Sequence, residues 1–361
     1  MTKFKTAFVA FFPIIPDNMG SSAVVNSRFK SWPNKKKLFQ LSHITKINNK
    51  NFKTIFIEKE RPINKILKLP RLIIQIFNYL KNSKKKIVII EGASWILYSF
   101  TVLVALKFLL PKSTIIYISH SIESEIRKKY SNLIIFQITK FLEKLVFKYS
   151  DISTSVSNIE KREIGKLYDI KTILYPNAIT IKHKVKKKEI SNDYIIYSGS
   201  YLYKPNKNAI DYLNDKIMPR LLKIFPKLKL VLTGGGFKKN FPWIINKKIV
   251  SKKKLHDLIY FSKCMCVPLK FGSGTRIKII EAMSLGVIVI STKKGIEGIN
   301  LRNINPPFIV DDTSNTIKLI VKILKNNSKI RKKADKEKSY YLNKYSMKNI
   351  TKDFIKKNIH I

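Results

Sequence analysis

CMCVPLKFGSGTRIKIIEAMSLGVIVIS, residues 264–291, reads as strand, loop, helix and strand. An apolar run ends at Leu269, and a loop carrying Gly272, Ser273, Gly274 and Thr275 follows. A helix starts near Arg276 and stops at Gly286, a residue suited to a left-handed cap. A second apolar run, 287–291, completes a βαβ-type unit and predicts a parallel sheet. Glycine-rich backbone that opens a helix is a phosphate site, because bare amides point outward and the helix dipole favours an anion. Arg276 and Lys278 fall in the first turn, where cations oppose that dipole. Such a conflict with local preference points to function, with an anion lying between the two charges. Glu281 lies one turn further, on the apolar side of the helix. A carboxylate there needs partners, and a ribose diol is a suitable one. The competing reading is a generic loop with a solvated Arg–Lys pair and a capped Glu.

The same alternation extends outward in both directions. Candidate strands are 6–12, 54–57, 87–91, 114–118 and 152–156, then 194–198, 228–232, 264–269, 287–291 and 308–310, with helical patterns between them. The pattern occurs twice, so two doubly wound α/β domains are predicted. Residues 180–193, TIKHKVKKKEISND, are polar and without apolar periodicity, and read as the linker. The segment from about 328 to 361 is basic and helical. Ligands in such folds lie at the carboxyl ends of the strands, which directs attention to the loops that follow them.

With 361 residues, 45% of them hydrophobic, the chain can build two cores and is not a disordered basic tail. Its 71 Lys and Arg against 23 Asp and Glu leave a net charge of +48. Only nine of the basic residues are Arg, the side chain suited to bidentate reading of phosphates and bases. Lys, Ile and Asn are abundant together, as a compositional bias would produce. A solvated lysine coat is the leading reading, an anionic membrane surface is a candidate partner, and nucleic acid is not an expected one. Cys264 and Cys266 exclude a disulfide framework and a Cys-type zinc site, and are expected on one buried strand face. The opening MTKFKTAFVAFFPIIP is read as a first strand rather than a signal peptide. Residues 87–110 are the one transmembrane candidate, and they divide into a strand and a helix. Residues 63–82 could form a basic amphipathic helix.

PL-x-x-GSGTRIK-x-x-EAM-x-LG resembles the donor-site signature of the family 4 (group 1) retaining glycosyltransferases of GT-B fold. YSGSYLYKPN (197–206) is similar to the family's first loop of the C-terminal domain. LVLTGGG (230–236) is similar to its second strand and turn, and SLGVIVISTKKGIEGI (284–299) to the segment after the donor helix. In the first half, Pro13 to Gly20 with Arg28, SHSIES (119–124) and the Pro-Asn-ending segment 156–179 also resemble family segments. Many members carry two Glu residues with seven between them. Glu281 matches the second, and Ser273 stands in place of the first.

The resemblance implies an α/β fold of two Rossmann-like domains facing a central cleft. Residues 1–182 would bind acceptor, residues 183–345 would bind nucleotide sugar, and residues 346–361 would form a helix packing back toward the first domain. It implies transfer of a sugar from a nucleotide-diphosphate sugar to a hydroxyl, with retention, in cell-surface polysaccharide, lipopolysaccharide or glycolipid synthesis. Arg276, Lys278 and His120 would be catalytic. Gly20, Gly199, Ser200, Gly272, Ser273, Gly274, Thr275, Glu281 and Glu297 would bind donor. Glu123 would contact the acceptor, or else orient His120. No Asp-x-Asp occurs, so cationic side chains are expected to replace a metal, with no cofactor beyond the nucleotide sugar. The expected partners are a nucleotide sugar and a sugar or lipid-linked acceptor, and the expected place is cytoplasmic, peripheral at the inner membrane face. Two alternatives have different consequences: a non-catalytic basic protein binding anionic lipid or nucleic acid, and a GT-B sugar-nucleotide epimerase.

Overall fold

Strand β1 (Phe4–Ala10) sends Ala7 and Val9 into one apolar cluster and Phe4, Phe8 and Ala10 into another, and all five are buried. A strand apolar on both faces belongs inside a parallel sheet covered by helices on each side. The computed structural model describes residues 4–15, 17, 20–33, 35–181, 190–191, 193–272, 275–301 and 307–359. The chain divides into two compact units, residues 1–177 with 350–361, and residues 178–349.

The first unit holds β1, β2 (Lys35–Ser42), β3 (Phe52–Phe56), β4 (Lys85–Gly92), β5 (Ser113–Ser119), β6 (Ile152–Ser155) and β7 (Ile173–Leu174). All pairings are parallel, in the order β3-β2-β1-β4-β5-β6-β7. Its helices are α1 (Gly20–Ser31), α2 (Pro62–Leu80), α3 (Ile96–Leu109), α4 (Glu123–Tyr130), α5 (Leu133–Tyr149) and α6 (Asn158–Tyr168). Alternation along the strands sorts the core. Val88, Ile90 and Ile115 face the layer of α2, α3, α5 and α6, whereas Ile87, Ile89 and Ile116 face α1.

The second unit repeats the plan with β8 (Tyr194–Ser198), β9 (Lys229–Thr233), β10 (Ile244–Asn246), β11 (Cys264–Val267), β12 (Val289–Ser291) and β13 (Phe308–Ile309). Their order is β10-β9-β8-β11-β12-β13, again all parallel. Its helices are α7 (Lys204–Tyr212), α8 (Met218–Leu222), α9 (Lys252–Tyr260), α10 (Ile277–Ser284), α11 (Thr313–Lys325) and α12 (Asn327–Lys344), and a π-helical stretch, Leu213–Ile217, joins α7 to α8. The last helix, α13 (Met347–Asn358), lays Phe354 flat against Tyr175 at 4.2 Å. The described part of the chain is therefore an α/β fold of two Rossmann-like sheets.

Several expectations change in detail. Strands β2, β7 and β10 are additional to those read from the sequence. β2 opens on Lys35, Lys36 and Lys37, whose charge hides the apolar run behind them. By contacts the units divide after Asn177 and after Asn349, and Ile179 exchanges backbone hydrogen bonds with Tyr345 and Met347 inside the second unit. Residues 182–189 of the expected linker lie outside the described residues. Residues 87–110 separate into β4 and the 14-residue α3, and no helix among the described residues is long and apolar enough to cross a membrane. The apolar side of α2 carries Leu69, Leu72, Ile76 and Leu80, all of which are buried in the core. Cys264 and Cys266 are buried, with their sulfurs 3.7 Å apart.

Candidate functional site

In the second unit four neighbouring strands end in loops at one edge of the sheet. β8 leads to Gly199 and Ser200, β9 to Gly234, β11 to the loop before α10, and β12 to the turn holding Glu297. The β8–β11 pair is where strand order reverses, the position at which open α/β sheets place ligands. Close backbone approach makes this edge. Gly199 N–H donates to Thr233 O at 2.8 Å. A Cβ on Gly234, whose φ is +111°, would lie 2.4 Å from the Gly199 carbonyl carbon. Ser291 Oγ donates to Val267 O at 2.8 Å, tying the end of β12 to the end of β11.

Arg276 is the N-cap of α10 and Lys278 is its second residue, so both stand at the helix N-terminus. Lys278 Nζ donates to Asn206 Oδ1 at 3.0 Å and to Tyr197 Oη at 3.1 Å, and lies 4.2 Å from the centre of the Tyr197 ring. Tyr197 Oη in turn donates to Asn206 Oδ1 at 2.7 Å. Burial, with Arg276 adding repulsion, pushes the Lys278 ammonium down to about 7. Arg276 is 7% exposed, and burial lowers its pKa against the opposing pull of Tyr203, Glu297 and Tyr197. Gly272, at φ +118°, gives it room: a Cβ there would lie 3.3 Å from Arg276 Nη2. Two crowded cations therefore sit at the positive end of a helix dipole, an arrangement that an anion stabilises. Thr275 Oγ1 beside them is buried and has no hydrogen-bond partner among the described residues. Ser273 and Gly274 lie outside the described residues.

Glu281 is buried on α10, as its position on the apolar side requires. Its Oε1 pairs with Lys252 Nζ at 2.5 Å and lies 3.5 Å from His256 Nε2, both on α9. These partners overcome the desolvation of the carboxylate and hold its pKa down at about 2. The sequence reading missed both residues and gave His256 no role; a Lys and a His four apart on the preceding helix were the available signal. Glu297 is half-exposed and pairs with Lys294. Ser200 is half-buried, and its carbonyl accepts from Asn206 Nδ2 at 2.9 Å. Asp312 caps α11 through the Asn315 N–H at 2.8 Å, and Asp311 accepts from the Lys293 N–H. Among the described residues no group of three or more His, Cys, Asp or Glu is placed to hold a metal ion.

In the first unit a second cluster forms where β4 and β5 end. Glu91 is fully buried, accepts from Arg28 Nη1 at 2.6 Å, and lies 2.7 Å from His120 Nε2. Arg28 and His120 hold the Glu91 pKa below the carboxylate range against its desolvation. An ionised carboxylate only accepts, so His120 Nε2 carries the proton in this contact. Arg28 also lies 4.8 Å from the centre of the Tyr175 ring. Gly20 is exposed and opens α1 with no atom within 4 Å of where a Cβ would stand. Among the described residues Glu123 is paired with Arg127 rather than with His120. Its carboxylate takes two hydrogen bonds from Arg127, at 2.9 and 3.1 Å, and burial pushes it up to about 7. Glu91 supplies the orientation instead. It was legible only as a polar residue ending an apolar strand, because its partners lie far from it in the chain.

Residues 192–326 match the family model described as Glycosyl transferases group 1. An uncharacterised 44.6 kDa protein in the cps region of Klebsiella pneumoniae is 28% identical over 249 residues. The matched region covers 63% of this chain, and the chain spans 63% of that relative's length. Among solved structures, Anabaena HepE in complex with UDP and glucose superposes with a TM-score of 0.69 at 10% identity, covering 98% of each chain. The E. coli trehalose-6-phosphate protein bound with UDP-2-fluoroglucose gives 0.68 at 10% identity, covering 99% of each. The likeness to these structures establishes the GT-B fold. The group 1 glycosyl transferase match lies over the second sheet.

Proposed function

We propose that the chain is a retaining, metal-independent glycosyltransferase of family 4 that moves a sugar from a nucleotide-diphosphate sugar to a hydroxyl acceptor. The observation that carries this reading is the pair Arg276 and Lys278, held together at the N-terminus of α10 beside the open backbone of Gly199 and Gly272. In the reaction the bond from the anomeric carbon to the diphosphate breaks as the bond to the acceptor oxygen forms, and the proton of the acceptor hydroxyl passes to the departing diphosphate oxygen. The difficult charge develops on the departing diphosphate. Two cations and a helix dipole fixed beforehand at that position stabilise it without reorganising. Gly199 and Ser200 would approach the phosphates through backbone, and Thr275 would offer its hydroxyl. Glu281, kept ionised by Lys252 and His256, would accept from the ribose hydroxyls. Glu297 would approach the donor from the turn after β12. Within the first unit, His120, held by Glu91, is the proposed catalytic residue, Gly20 the proposed donor contact and Glu123 the proposed acceptor contact.

The cps-region relative supports a role in cell-surface polysaccharide synthesis, and a lipid-linked acceptor at the inner membrane face is proposed with it. The UDP complexes of the structural neighbours make UDP-sugars the first donors to test. The test is incubation with UDP-, GDP-, ADP- and CMP-sugars and a lipid-linked acceptor, with the anomeric configuration of the product read by NMR. Transfer with retention supports the proposal. Inversion, or conversion of the nucleotide sugar to an epimer without transfer, contradicts it.

A further inference from the structure

Helices α2, α3 and α5 form one packed layer on the first sheet, with α3 in contact with both others. Their inner faces already fill the core with Leu72, Ile76, Val102, Leu106, Leu142 and Val146. Their outer faces are apolar as well. Leu67 is 68% exposed, Phe108 85% and Phe141 62%, joined by Ile63, Val104 and Ile138. More than half of the exposed large apolar side chains among the described residues belong to these three helices. A patch of this extent is unusual on a soluble surface and marks an interaction site.

The charge on the layer identifies the partner. The three helices contain one carboxylate, Glu143, and it is buried, with both oxygens accepting N–H groups at the start of α4. Their outward charges are all positive: Arg71, Lys144 and Lys148 are exposed, and Lys68 and Lys140 are half-exposed. A second copy of this chain would meet the patch with like charge. A nucleic acid would leave the aliphatic and phenyl groups unused. We infer that the outer face of α2, α3 and α5 docks on an anionic lipid surface, with Leu67, Phe108 and Phe141 entering the headgroup boundary and the lysines meeting lipid phosphates. Long basic side chains around an apolar stripe are suited to that boundary. The apolar and basic groups of this layer are independent of the donor site. The meaning of the docking, presentation of the enzyme to a lipid-linked acceptor, rests on the transferase reading.

The test is flotation of the full chain at low salt with phosphatidylglycerol–phosphatidylethanolamine vesicles and with phosphatidylcholine vesicles. The expected result is binding to the anionic vesicles, weaker by about tenfold or more on the neutral ones. The double variant Phe108→Glu/Phe141→Glu should lose about tenfold or more of that partition, and Lys144→Ala and Lys148→Ala about fivefold each. All four positions are at the surface, and an unchanged melting temperature checks the fold. Nucleotide-sugar binding in solution should be unaltered in these variants, so loss of docking and loss of the donor site are read separately. Absence of binding to anionic vesicles, or wild-type partition in the double variant, overturns the inference. A dimer that the same variant dissociates also overturns it, in favour of a second copy.

Discussion

Lys278 lies over the face of Tyr197, its ammonium 4.2 Å from the ring centre, and bonds to neutral groups rather than to a carboxylate. Its position is therefore fixed while its charge is only partly compensated. Burial leaves its pKa near 7 instead of the ordinary lysine value of 10.5. An anion at the start of α10 favours the charged form, so donor binding should draw in a proton above pH 7. Affinity for a nucleotide sugar is expected to fall as pH rises through about 7. Calorimetry in buffers of different ionisation enthalpy reads the proton uptake, and Lys278→Met should abolish it. The stability consequence has the opposite sign. Between about 7 and 10.5 the unfolded chain binds the proton that the folded chain has released, so this group's contribution to stability rises with pH across that window.

Gly199 and Gly234 make different demands. Gly199 has φ +153°, and a Cβ on it would stand 2.7 Å from Lys278 Nζ and from Asn206 Nδ2, the ends of two side chains that hydrogen-bond to each other. Gly199→Ala should weaken donor binding by at least about tenfold and lower the melting temperature as well, because a side chain is strained at this φ. A Cβ on Gly234 would stand 2.4 Å from the Gly199 carbonyl carbon, and there backbone has to shift. Gly234→Ala should lower stability by about 1–3 kcal/mol, measured by urea unfolding.

Glu281 and Lys252 set an acid limit. The Glu281 pKa is held down at about 2 from the ordinary 4.5, so its contribution is complete above 4.5 and is lost as pH falls toward 2. Unfolding free energies measured from pH 2 to 6 should show this slope in the wild type and less of it in Glu281→Gln. Lys252→Met leaves a buried carboxylate with one partner fewer and should cost about 1–3 kcal/mol at pH 7.

These residues also show how far the sequence could be read. The strand–loop–helix–strand of 264–291 was legible because apolar runs, glycines and first-turn cations lie side by side in the chain. Arg276 and Lys278 stand at the helix start where the spacing places them. Relationships that bridge distant segments were not legible. Lys252 and His256 reach Glu281 across a helix–helix contact, and Arg28 meets Glu91 from 63 residues away. β2 was hidden because three lysines begin it, although Leu38, Phe39 and Leu41 behind them are buried.

Arg28, Glu91 and His120 separate structure from chemistry. Arg28 and Glu91 are both fully buried, so Glu91→Gln leaves a cation without its counter-charge and should destabilise the fold by about 3–5 kcal/mol. His120 lies at the edge of that pair. His120→Ala should lower transfer by about 100-fold while costing about 1–3 kcal/mol in urea unfolding, less than Glu91→Gln, because Glu91 keeps Arg28. Equal stability losses in the two variants would assign His120 to the core instead.

The central claim is that the N-terminus of α10 binds the diphosphate of a nucleotide sugar. Its most direct test is calorimetric titration of the wild-type chain and of Lys278→Met with the nucleotide sugar that most stabilises the protein in a thermal-shift screen. The account predicts saturable binding to the wild type and at least about tenfold weaker binding to the variant, with inorganic phosphate unable to substitute. Equal affinities for the two proteins, or no binding of any nucleotide sugar to the wild type, would contradict it.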